Sequence, residues 1–204
     1  NNFFLELKKD FAKEMVTGFI SLDGMTVGCV ANRTAVYGED GSEQESFEAR
    51  LTSDGCDKAA SFIKTCDAFN IPVLTLTNVE GFATTVEEEK TIASKAAALT
   101  AAFAEADVPK VNLITGNAYG SAYITMNSKH IGADMVFALP DAKIGMMDAR
   151  SAAKIMYDGE DAAVINEKAA EYAEETGVGV EVYYSSDTVA AHLATKYSSG
   201  DPYT

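Results

Sequence analysis

The sequence predicts a single α/β domain built on a largely parallel sheet. Three observations carry this. From residue 57 onward, short apolar runs alternate with segments of helical periodicity, the pattern of crossover connections between parallel strands. An Asp23-Gly24 pair between two β-rich runs marks an antiparallel hairpin ahead of that alternation. Finally, 204 residues that are 47% hydrophobic support one well-filled core, with no repeat or low-complexity linker to divide it.

Taken in order, residues 3–14 place Phe3, Leu7, Phe11 and Met15 at helical spacing and predict an amphipathic helix. Residues 17–22 and 26–31 form the hairpin strands. Residues 32–54 are acidic and aperiodic, which predicts a long loop. A helix over 57–69 puts Ala59, Phe62, Ile63, Cys66 and Phe69 on one face and is stopped by Asn70 and Pro72. A buried strand follows at 73–77. The next helix, 87–106, carries a stripe of Ile92, Ala96, Leu99 and Phe103, with Glu87, Glu88 and Glu89 at its positive end. Strands at 111–115, 135–139 and 144–147 and a short helix from Gly120 to about Lys129 come after it. Helices at 149–157, 161–175 and 187–197 complete the reading.

Sixteen basic against 31 acidic side chains leave a net charge of −15. Such a chain lacks the clustered basic surface that nucleic acid or an anionic membrane requires. The most apolar stretch, residues 96–104, is too short to span a bilayer, so membrane insertion is not expected. Cys29, Cys56 and Cys66 are odd in number and form no C-x-x-C pair, which predicts packing thiols in a reducing, cytoplasmic compartment. No signal-type apolar stretch opens the chain, and Asn1 stands where an initiator Met would; both predict missing sequence upstream. His130 and His192 are the only histidines, and no ligand spacing suits a metal.

Two segments could carry chemistry. Thr115-Gly116-Asn117-Ala118-Tyr119-Gly120-Ser121-Ala122-Tyr123 follows a strand and opens a helix. First-turn amides lack intrahelical acceptors, and the small residues Gly120, Ser121 and Ala122 let a substrate oxygen approach them, as in an oxyanion hole. The same small residues also suit a plain tight turn. Asn78-Val79-Glu80-Gly81-Phe82 lies past a strand's C-terminal end, where parallel sheets line ligand crevices or simply turn at the surface.

The runs Asp57 to Ile63, Cys66 to Pro72, Ala104 to Val111, Ala118 to Tyr123 and Ser128 to Asp134 resemble the biotin-dependent acyl-CoA carboxyltransferase family. That family includes the β chains of propionyl- and acetyl-CoA carboxylases and the α chains of methylmalonyl-CoA decarboxylases. The resemblance covers residues 3–157 and implies a crotonase-type ββα superhelix of the C-terminal kind over 1–157, with 158–204 a mostly helical extension. It implies transfer of CO2 between carboxybiotin and the α-carbon of an acyl-CoA. Ser121 and Ala122 would supply backbone oxyanion donors, and Gly120, Tyr123, Ile124, Gly81 and Phe82 would border the substrate. The partners implied are a biotin carboxyl carrier protein, a coenzyme A-binding N-terminal half and further copies of the chain.

This sequence departs from the family pattern at Ser121, Asn78, Glu80, Thr84, Thr85, Asp148 and Ser151, and around Lys90, Thr91, Ser94 and Lys95. Side chains there would fill space beside the pocket, so a non-catalytic scaffold of the same fold is the second reading. A third takes Ser121 as the nucleophile of a Clp-like peptidase. His130, nine residues further along the same helix at about 1.5 Å per residue, is too far to serve as its base, which leaves His192.

Overall fold

The structure, a computed structural model, describes residues 3–38 and 40–176. Strands β1 (Phe4–Leu7), β2 (Met15–Leu22), β3 (Met25–Asn32), β7 (Val73–Val79), β9 (Lys110–Tyr119) and β10 (Met135–Ala138) lie side by side in that order, and β11 (Lys143–Gly145) pairs with the far end of β9. The pairs β1–β2 and β2–β3 are antiparallel, and the others are parallel. The mixed sheet expected from the hairpin and the crossovers is therefore present. Asp23 and Gly24 both have positive φ, as the two-residue turn requires.

Helices α1 (Ser53–Ala68) and α3 (Ile92–Glu105) pack on each other, and α1 packs on β2 and β3. Their shared core contains Phe62, Ile63, Cys66, Leu99 and Phe103. A Cβ at Gly28 would sit 2.5 Å from Cys66 Sγ, so glycine is what lets α1 approach β3. All three cysteines are buried, and burial pushes their thiols up to about 11 for Cys29 and about 12 for Cys56 and Cys66. They are protonated packing groups at neutral pH.

Three expectations are corrected. Residues 3–14 are not a helix but β1 and a turn. The four-residue apolar spacing suits a helix, yet β2 offers an open ladder to Phe4–Leu7, and left-handed Lys8 and Ala12 (φ 51° and 43°) then fold the chain back. The turn is held by Lys58 of α1, 1% exposed, whose Nζ donates to Phe11 O at 2.7 Å and Ala12 O at 3.2 Å. Replacing Lys58 by alanine is expected to cost about 3 kcal/mol, since two carbonyls lose a charged donor and a cavity is left. Lys58→Met should recover part of that loss by refilling the volume; urea unfolding of both variants is the check.

Residues 32–54 are not a continuous loop. β4 (Ala35–Tyr37) pairs antiparallel with β5 (Glu43–Ser46), and β6 (Arg50–Leu51) pairs parallel with β8 (Gly81–Phe82). All of β5 is exposed, so no apolar alternation betrays it in the sequence. The helix expected over 87–106 is broken into α2 (Val86–Glu89) and α3. Thr85 Oγ1 caps α2, and Glu88 Oε2 accepts from Ser53 N at 2.7 Å while Thr91 Oγ1 meets Ser53 Oγ at 2.8 Å. The Glu88 carboxylate thus serves the N-terminus of α1, and holding it there bends the chain between the two helices. The helix expected over 187–197 lies outside the described residues.

Candidate functional site

The site is built where β9 ends. Sequence periodicity stops this strand at Thr115, but it runs on to Tyr119 because β11 pairs with its extension, Asn117 to Tyr119 opposite Lys143 to Gly145. The chain then enters α4 (Gly120–Thr125), whose N-cap Tyr119 makes no side-chain capping bond. The first-turn amides, including those of Ser121 and Ala122, therefore lack both intrahelical acceptors and a side-chain cap. α4 is shorter than expected: left-handed Asn127 (φ 55°) ends it, and a 3-10 turn covers Lys129–Ile131.

Each small residue at this junction has a geometric reason. Gly120 has φ 54°, and a Cβ there would lie 2.9 Å from Met146 O. Ala122 is 1% exposed, packed against the main core. Ser121 is exposed; its carbonyl accepts from Thr125 Oγ1 at 3.0 Å, and its own hydroxyl has no hydrogen-bond partner among the described residues. Tyr123 packs between the main core and the small cluster around Ile114, and burial raises its pKa. Ile124 remains 38% exposed. Gly81 and Phe82 lie in β8, which α4 packs against, so the two segments singled out in the sequence do meet.

A cavity of about 590 Å³ opens beside this junction, bounded by Tyr119, Lys143, Ile144, Met146, Asp148 and, from α6 (Ala162–Thr176), Tyr172. These wall residues were missed in the sequence, apart from Tyr119 and Asp148, because β11 reaches β9 only through a long-range pairing. Burial, then the nearby Asp148 and Glu80 carboxylates, raise the Tyr119 pKa, so its phenol stays neutral at physiological pH. The Asp148 carboxyl is held below its usual range, chiefly by its hydrogen bonding with Ser151 at the start of α5 (Ala149–Met156).

Four of the positions that depart from the family pattern carry structural bonds. Thr85 and Asp148 are helix N-caps, Ser94 Oγ donates to Thr91 O at 2.8 Å, and Lys95 Nζ pairs with Asp57 at 2.7 Å. Among the described residues no cluster of three or more His, Cys, Asp or Glu could hold a metal, and no helix is long and apolar enough to cross a membrane. His130 sits in the 3-10 turn, exposed and without a hydrogen bond to Ser121. His192 lies outside the described residues.

The family model for the carboxyl transferase domain matches residues 1–196. The chain belongs to the carboxyl transferase domain family. It is 44% identical over 176 residues to a protein of Bacillus subtilis (strain 168) described as a putative propionyl-CoA carboxylase beta chain, covering 83% of this chain and 33% of that one. It is 40% identical over 182 residues to the methylmalonyl-CoA decarboxylase subunit alpha of Propionigenium modestum, covering 86% and 33%. Among solved structures, a transcarboxylase 12S core with hydrolyzed methylmalonyl-coenzyme A bound superposes with a TM-score of 0.74 at 36% identity, over 85% of this chain and 32% of that one. The carboxyl transferase domain described here thus has the crotonase-like fold that the sequence motifs implied. It spans about a third of the length of the curated relatives it matches.

Proposed function

We propose that this chain is the carboxyltransferase part of a biotin-dependent acyl-CoA carboxylase or decarboxylase. Carboxybiotin, borne on a carrier protein, supplies or receives the carboxyl group. In the carboxylating direction the N1–carboxyl bond of carboxybiotin breaks, the acyl α-carbon loses a proton to N1, and a new carbon–carbon bond forms at the α-carbon. The backbone N–H groups of Ser121 and Ala122 face the negative charge that develops as the carboxyl group leaves, and donors already in place need no reorganisation. Tyr119, neutral at the cavity wall, adds no competing charge. Gly120, Tyr123, Ile124, Gly81 and Phe82 border the reacting groups, with Ile124 influencing acyl-chain choice. A second half or subunit binds coenzyme A, and copies of the chain associate. The acidic charge and the three buried free thiols support a cytoplasmic setting.

The observation that carries the reading is the uncapped strand-to-helix junction at 120–122 within a match to the family model that spans most of the chain. The test is carboxyl exchange in the assembly isolated from its native cell. Propionyl-CoA labelled in its propionyl chain, incubated with unlabelled methylmalonyl-CoA, should become labelled methylmalonyl-CoA, and avidin should block the exchange. An assembly with no avidin-sensitive transfer to or from any acyl-CoA would overturn it. A non-catalytic scaffold of the same fold is the second reading, favoured by the caps and ion pair at Thr85, Lys95 and Asp148. The peptidase reading has no observation in its favour, since Ser121 has no base among the described residues.

A further inference from the structure

The approach of β9 to the Ser121 and Ala122 amides is irregular. β7 and β9 run in step through Thr77 and Ile114, then resume at Val79 and Ala118. Asn78 alone therefore stands opposite three residues, Thr115 to Asn117, which arch away from β7, while Asn117 pairs with Lys143 of β11 on the other side. Side chains from Asn78 of β7 and from Glu80, just beyond its end, hold this arch. Asn78 Oδ1 accepts from Asn117 N at 2.9 Å, which also settles which way the amide points. Glu80 Oε1 accepts from Asn117 Nδ2 at 2.7 Å, and the Glu80 backbone is fixed in turn by its N–H donating to Ala49 O at 2.6 Å. A Cβ at Gly116 would lie 2.6 Å from Asn78 Oδ1, so any larger residue there would push the Asn78 amide out of its place.

Between the arch and α4 there are only Ala118 and Tyr119, paired with Val79 of β7 and Gly145 of β11 respectively. A change in the arch would therefore pass directly to the direction of the first-turn amides. We infer that Asn78 and Glu80 are positioning residues: they clamp the Thr115–Asn117 arch and so aim the Ser121 and Ala122 N–H groups. That their target is an oxyanion rests on the proposed function; the clamp itself does not.

The test uses variants that keep or delete the acceptor. Asn78→Asp and Glu80→Gln retain an oxygen for Asn117, whereas Asn78→Leu and Glu80→Met preserve length without one. Hydrogen exchange is followed for a peptide covering 115–122 and, as an internal standard, for the hairpin 15–32. Asn78→Leu is expected to speed exchange in 115–122 by about tenfold, the effect of one part-buried hydrogen bond, with a smaller rise for the exposed Glu80→Met. The hairpin should be unmoved, and both oxygen-retaining variants should match the natural chain. In the isolated assembly, Asn78→Leu should lower kcat for carboxyl transfer at unchanged KM. Equal exchange in Asn78→Leu and Asn78→Asp, or a rise shared with the hairpin, would overturn the inference. Absence of transfer in the natural assembly, with the exchange pattern as expected, would overturn the proposed function and leave the clamp standing.

Discussion

A chain carrying Ser121→Pro is expected to lose carboxyl transfer by roughly 10²–10³-fold, the effect of removing one oxyanion donor. Ser121→Ala should stay close to the natural chain. Proline deletes the amide proton and nothing that α4 needs, because a first-turn N–H has no intrahelical acceptor. The preceding residue is Gly120, whose missing Cβ removes part of the clash that proline usually imposes on its neighbour. The Ser121 hydroxyl, exposed and without a partner, has no part in this mechanism. A nucleophilic serine requires the reverse order, with Ser121→Ala inactive. Transfer rates of the two variants, with circular dichroism to verify the fold, separate the backbone donor from the side chain.

The largest loss of stability is expected at Phe103. It is fully buried in the main core, on the same face of α3 as Leu99 and Ala96, and α3 is the helix that packs against α1. Phe103→Ala should lower the unfolding free energy by about 3–5 kcal/mol, combining lost transfer energy with a cavity that the neighbouring helices cannot fully close. Phe103→Leu, which keeps most of the volume, should cost well under half as much. Denaturant midpoints at unchanged slope would measure both. A loss of that size is a large part of the marginal stability of an ordinary domain, so Phe103→Ala should also reduce the yield of folded chain.

The core and the chemistry-bearing turn were legible for local reasons. Asp23-Gly24 announces a tight hairpin because few residues accept positive φ twice in succession. The stripe Ala59, Phe62, Ile63 and Cys66 announces α1 because it is continuous over about two turns and is followed by the stop at Asn70 and Pro72. Gly120, Ser121 and Ala122 stood out because close approach to a backbone requires small side chains. What was illegible is what depends on partners distant in sequence. Phe3, Leu7, Phe11 and Met15 fit a helix, and only the open edge of β2 makes Phe4–Leu7 a strand. The wall at Lys143 to Asp148 is brought to the site by pairing with β9, and no local pattern encodes that register. The break between α2 and α3 follows from Glu88 reaching the N-terminus of α1, a contact across 35 residues.

The most direct test of the carboxyltransferase role is capture of this chain from its native cell under mild conditions, with the recovered assembly probed for covalently bound biotin. A biotinylated carrier and a coenzyme A-binding chain or domain are expected in the same assembly, together with avidin-sensitive carboxyl transfer. A stable assembly that contains neither would contradict it, and would identify the chain as a crotonase-fold scaffold whose junction at Ser121 and Ala122 serves the fold alone.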